Sequence, residues 1–200
     1  MKNKSKIILK YIKDFLINLL FQKPRILKYR LLSNISFFEG KPVLRQPALF
    51  AGFGKIIMGQ KVIIGVKNSP YFYDSYTYVE ARNKNSFIKI DNNVQINNKC
   101  CFISEGEGIF IGENTLIGTN VEIYDSDFHN LMPQARITGS PKTAKVIIDK
   151  NVFIGSNVKI LKGVKIGKNS VIGTGSVVVK SIPDNVIAGG VPAKVIRNLD

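Results

Sequence analysis

The sequence predicts an all-β solenoid of six-residue repeats, preceded by a basic helical arm and interrupted by one projecting loop. Three observations predict it. First, aliphatic residues recur every six positions at Ile148, Ile154, Ile160, Ile166, Ile172 and Val178, and upstream at Ile90, Ile96 and Phe102 and at Ile111, Ile117 and Ile123. Four residues after the first series stand Val152, Val158, Val164, Ser170, Ser176 and Ile182, all small or aliphatic. Second, glycine follows the aliphatic residue in "FIGSNV", "KIGKNS" and "VIGTGS". Third, apart from irregular spacing between Phe102 and Ile111, the rhythm breaks after "IYDSDFHN", through "LMPQARITGSPKTAKV".

A period of six is neither helical nor a simple alternation. It suits a short strand and a turn, with an inward aliphatic residue in each unit. Glycine and asparagine supply the left-handed backbone angles that such turns need. Three units make a coil, and stacked coils pair their strands in parallel and bury a column of aliphatic side chains. This organisation assigns residues 46–200 to the repeat domain, with a loop at about 129–146 and a C-terminal tail.

Residues 1–45 form the arm. They hold eleven Lys or Arg against Asp14 and Glu39, so +9 of the chain's +15 formal charge lies there. Residues 5–21 are predicted helical, with Ile8, Ile12, Phe15, Leu16 and Leu19 on one face and Lys6, Lys10 and Lys13 nearer the other. Pro24 is expected to end the helix. An open coil exposes strand edges and core, so the arm is one candidate cover for it. The charge and apolar stripe also suit a peripheral contact with an anionic membrane through residues 1–21. The aromatic stretch "SPYFYDSYTYVEA" reads as strand packing, a subunit contact or a sugar-stacking surface.

Composition narrows the function. Apolar residues are 44% and charged residues 22%, which excludes general disorder. The longest uncharged run of the first helix, Phe15 to Gln22, is too short to span a bilayer, and no cleavable signal is evident. Cys100 and Cys101 are adjacent and therefore face opposite ways in a strand. They read as reduced thiols of a cytoplasmic protein, and neither a disulfide framework nor a metal site follows from that spacing. Charge alone is no case for nucleic-acid binding, and no nucleic-acid partner is expected.

His129 is the chain's only histidine, and it stands where the rhythm breaks. Its ordinary pKa suits it to proton transfer near neutrality. A single histidine does not supply the three or four ligands of a zinc site, so no metal is expected.

Two stretches carry a resemblance: "IFIGENTLIGTNVEIYDSDFHN" and "VIGTGSVVVKSIPDNVIAGGVPAKVIRNL". Over about residues 85–197 the chain resembles the left-handed parallel β-helix acyltransferases. Within them it is similar to the maltose, galactoside and xenobiotic O-acetyltransferase group and its polysaccharide-modifying relatives. The left hand is implied by the resemblance alone, since generic sheet physics favours right-handed crossovers. The resemblance implies acetyl-CoA as co-substrate, a carbohydrate acceptor, polymeric or lipid-linked, and a homotrimer with clefts between chains. It implies His129 as the catalytic base and Ser156, Thr174, Lys180, Lys194 and Arg197 as coenzyme contacts. Val179 departs from the family's usual threonine. Asp125, Asp127, Glu105 and Glu107 are candidates to orient the imidazole, and Asn98 with Glu105 or Glu107 to meet the acceptor. O-acetylation of a sugar is the leading expectation, N-acetylation of an amino sugar is its rival, and a non-enzymatic scaffold would need neither motif.

Overall fold

The computed structural model describes residues 2–199. Met1 and Asp200 lie outside the described residues, as do the side chains of residues 2–5, including Lys2 and Lys4 of the arm. Three parallel sheets wrap into the three faces of a prism. Face one carries Phe37–Glu39, Lys55–Met58, Phe87–Ile90, Ile109–Ile111, Val146–Ile148 and Lys165–Ile166. Face two carries Val43–Leu44, Ile63–Ile64, Gln95–Ile96, Leu116–Ile117, Phe153–Ile154, Val171–Ile172 and Val186–Gly190, edged by the antiparallel strand Ala193–Asn198. Face three carries Ala48–Ala51, Thr77–Ala81, Cys101–Ser104, Glu122–Tyr124, Lys159–Ile160 and Val177–Val178.

The six-residue rhythm visits the faces in turn. Ile148 and Ile166 are neighbours on face one, Ile154 and Ile172 on face two, Ile160 and Val178 on face three. Each register continues upstream, for example through Ile111, Ile90 and Met58. All of these side chains are buried, so each face contributes one continuous inward column. Burying a large aliphatic side chain contributes about 1.5–3 kcal/mol. A one-residue slip would turn a whole column outward, which is what specifies the register.

The corners are turned by residues in the left-handed region. Asn93, Asn114, Asn120, Asn151, Asn157, Asn169 and Asn185 all have φ between 54° and 63°, and asparagine tolerates that region because its short amide bonds locally. Their side chains also bond one another between coils, as Asn151 Nδ2 does to Asn169 Oδ1 (3.0 Å) and Asn169 Nδ2 to Asn185 Oδ1 (2.7 Å).

The arm departs from the sequence expectation at Pro24. Helix α1 (Lys2–Ile17) runs through one π-helical turn (Asn18–Gln22) into helix α2 (Lys23–Leu32). Proline is tolerated because it falls in the first turn of α2, beside the wide turn in which Lys23 N–H reaches back to the Asn18 carbonyl. A missing N–H costs little at such a junction. Only the inner half of the arm acts as a cover. Ser33, just past α2, accepts the Phe50 N–H with its hydroxyl (3.0 Å), and Ile35, Phe38 and Leu44 pack on the first-coil core.

Cys100 points into the core and Cys101 is half-buried on face three. Burial pushes the Cys100 thiol up to about 12 and the Cys101 thiol up to about 11. At pH 8 the thiolate of Cys101 is then ~1 in 1,000. Native protein at that pH should resist alkylation by iodoacetamide, and unfolded protein should take two labels, read by intact mass.

Candidate active site

The site is built where face three stops at Tyr124. Asp125 follows and turns inward, wholly buried. Its carboxylate collects the turn beneath it. Oδ2 accepts from the Ser104 hydroxyl (2.7 Å) and from the N–H groups of Gly108 (2.7 Å) and Gly106 (3.2 Å), while Oδ1 accepts from Glu105 N–H (2.7 Å). Four donors converge on one buried carboxylate, so it is satisfied where it stands. This corrects the expectation that Asp125 meets the imidazole or the acceptor: its oxygens face the interior and are spent on the turn. Gly106 is required there, since a Cβ would come 2.5 Å from the Thr143 hydroxyl.

The projecting loop is closed at its base by a short antiparallel contact. Ser126 bridges Thr143, Asp127 N–H donates to the Lys142 carbonyl (3.1 Å), and Ala144 N–H donates to the Asp125 carbonyl (2.9 Å). Beyond it Leu131, Met132 and Ile137 are exposed, Ile137 at 94%. Phe128 sits between base and loop at φ 62°, a rare conformation for an aromatic residue. Its N–H donates to the Ser126 hydroxyl (2.9 Å), and its ring packs edge-on to Tyr124 at 5.3 Å and under the Arg82 guanidinium at 5.1 Å. Backbone strain of this kind is held only where the surroundings impose it. Here it turns the next residue, His129, out to solvent, with its imidazole making no hydrogen bond among the described residues.

Beside this turn lies a charged cluster. The Ser126 hydroxyl donates to Glu105 Oε2 (2.5 Å), Arg82 lies 3.7 Å from Glu105 Oε1, and Arg82 also forks onto Glu80 with two bonds of 3.0 Å. Asp127 pairs with Lys162 at 3.3 Å. Glu107 is exposed on the turn that Asp125 holds. Glu105 is therefore linked to the His129 turn through Ser126, Asp127 is engaged by a lysine, and Glu107 stands free in solvent. Arg82, Ser126 and Phe128 were not singled out by sequence.

Asn98 is likewise corrected. It is fully buried; its amide donates to the carbonyls of Val66 (2.9 Å), Pro70 (2.8 Å) and Ser69 (3.2 Å) and accepts from Val66 N–H (3.0 Å). That pins the 66–70 segment, which leads into the aromatic stretch, and leaves no donor for a sugar.

The coenzyme candidates divide between two corners. Ser156 and Thr174 lie on successive turns after face two, stacked beneath Gly118 and Gly155. A Cβ on Gly118 would come 2.6 Å from Ser156 N, and one on Gly155 2.7 Å from Thr174 N. The same corner opens toward the C-terminus: a Cβ on Gly173 would meet nothing closer than 3.5 Å, and one on Gly175 nothing within 4 Å. The result is a backbone-walled rail, edged by Lys194, which pairs with Gly189, and by Arg197, which pairs with Ile187. Lys180 is exposed on the following corner, after face three. Bare backbone admits a slender ligand arm, and exposed cations suit a phosphate end.

A parallel prism of hexapeptide coils with a helical arm is the fold of the left-handed hexapeptide acyltransferases. The family described as "Bacterial transferase hexapeptide (six repeats)" matches residues 145–180. The chain is 30% identical over 182 residues to the Escherichia coli protein "Putative lipopolysaccharide biosynthesis O-acetyl transferase WbbJ", covering 86% of each chain. It is 48% identical over 92 residues to the galactoside O-acetyltransferase of Lactococcus lactis, 46% of this chain and 44% of that protein. Against these galactoside enzymes the match spans less than half of their length. The crystal structure of the polySia-specific acetyltransferase NeuO superposes with TM-score 0.57 at 25% identity, covering 82% of this chain and 83% of that one. The chain belongs to the hexapeptide-repeat acyltransferase family.

Proposed function

We propose that the protein transfers an acetyl group from acetyl-CoA to a sugar hydroxyl of a surface polysaccharide, with His129 as the general base. The observation that carries this reading is the strained Phe128 turn, which lifts the only histidine out of the solenoid beside the Glu105–Arg82 cluster. The neutral imidazole takes the proton of the attacking hydroxyl as the new C–O bond forms. It then returns that proton to the thiolate as the C–S bond breaks. In this reading a backbone N–H or nearby donor meets the oxyanion that develops between the two steps. The rail from Ser156 to Thr174 holds the pantetheine arm in this reading, and Lys180, Lys194 and Arg197 meet its phosphates. WbbJ and NeuO support a polysaccharide acceptor, by what each is described as doing.

Assembly as a homotrimer belongs to the same reading. Val43, Ile63, Leu116, Phe153, Val171 and Ile187 stand outward along face two, and Val43, Leu116 and Phe153 are 44–50% exposed. An apolar stripe of that extent suits a subunit contact. Purified protein given acetyl-CoA and a panel of sugars, amino sugars and polysaccharides should release thiol only with hydroxyl acceptors. The product should carry an alkali-labile ester, and sedimentation velocity should return the mass of three chains. An alkali-stable amide on an amino sugar would replace the O-acetyl reading with N-acetylation. No transfer to any acceptor, with no thiol release, would overturn both.

A further inference from the structure

Helix α1, the outer half of the arm, is oriented the wrong way for a cover. In a helix packed on its own domain the apolar stripe faces inward. Here most of the side chains that face the solenoid are polar, Asp14, Gln22, Arg25 and Tyr29, with Ile17 half-buried and Ile26 beside Leu44 as the apolar exceptions. Gln22 is 2% exposed; its amide donates to the Arg45 carbonyl (2.7 Å), and Arg25 donates to the carbonyls of Phe72 (3.2 Å) and Ser75 (2.6 Å). Asp14 pairs with Lys67 at 2.9 Å. The inner surface is thus a polar latch. Most of the apolar stripe of α1 points away from the protein: Ile8 is 58% exposed, Ile12 50%, Leu16 45% and Leu19 41%, while Phe15 stands at the lip of the groove between arm and solenoid.

We propose that this outer stripe lies in the surface of an anionic membrane, with the latch holding the solenoid against it. Three features select that occupant. Lys6, Lys10 and Lys13 lie on the face of α1 opposite the stripe, so the helix pairs an apolar face with a cationic one, the pattern of a helix that lies in an anionic interface with its stripe at the acyl boundary. A second copy packed stripe to stripe would leave both cationic faces without an acid to meet, since the only acid of α1, Asp14, is already engaged by Lys67. An acidic polymer would satisfy the cations and leave the stripe wet. No helix of the described residues is long and apolar enough to cross a membrane, so the arm lies on the surface. The inference is independent of the proposed chemistry, and vesicle binding needs neither donor nor acceptor.

The test uses the full chain and a variant carrying Ile8→Glu and Ile12→Glu. Both positions are exposed, so the variant should fold with an unchanged melting temperature. Wild type should sediment with phosphatidylserine-containing vesicles and not with neutral phosphatidylcholine vesicles, and added salt should weaken the binding. The variant should lose at least about tenfold in partitioning and keep its turnover on a soluble acceptor. Equal binding by the variant, or no binding by wild type, overturns the proposal. So does a change in sedimenting mass between the two proteins without a change in vesicle binding, because the stripe is then a contact between copies.

Discussion

Replacing His129 with alanine is expected to lower turnover by about 10²–10⁴-fold, the range that a positioned general base contributes. The fold should lose nothing measurable. His129 is exposed and its ring makes no hydrogen bond among the described residues. The turn that presents it is held by neighbours, through the Ser126 hydroxyl to Phe128 N–H and the packing of Phe128 on Tyr124 and Arg82. Melting temperature and acetyl-CoA affinity should therefore match wild type while kcat falls. Near-normal kcat in the variant would remove His129 from the chemistry and leave its turn as a structural feature.

The second large effect is expected at Asp125, and it falls on stability first. Asp125→Asn keeps the volume but replaces one acceptor oxygen by an NH2 group. Three donors converge on Oδ2 and one on Oδ1, so either amide orientation sets donor against donor. Loss of hydrogen bonds to a buried charge costs about 3 kcal/mol here, allowing for non-additivity. For a chain of this size that lowers the melting temperature by roughly 6–12 °C. Ser104→Ala removes one donor from the same carboxylate and should cost less, about 1 kcal/mol. Turnover of Asp125→Asn should also fall at temperatures where it is folded, since the Glu105 turn hangs on that carboxylate. An unchanged melting temperature with reduced kcat would reverse the assignment and make Asp125 the group that orients the imidazole.

These two residues show how the chain divides between what composition and spacing reveal and what they hide. Asp125, Asp127, Glu105 and Glu107 are four similar acids near one histidine, and nothing in their order distinguishes them. The coil corner does. It turns Asp125 into the core, where an unpaired carboxylate would be untenable without four donors. It leaves Asp127 beside Lys162, links Glu105 to Ser126, and exposes Glu107. Asn98 fails as a sugar contact for the same reason, because burial and four hydrogen bonds depend on a loop some thirty residues away in sequence.

By itself the sequence determined the solenoid. A six-residue aliphatic step has one economical solution, in which each side chain enters the core from a new face, and the buried columns follow it. It also determined that His129 lies off that lattice, at the start of a loop. The tertiary structure alone decided the direction of the arm. Helical periodicity reveals an apolar stripe but not which way it points, and Pro24 reads as a stop unless the preceding turn widens to admit it. The orientation is set by Gln22 and Arg25 bonding the carbonyls of Arg45, Phe72 and Ser75, partners that no local pattern can name because they meet α2 only after the first coil has closed.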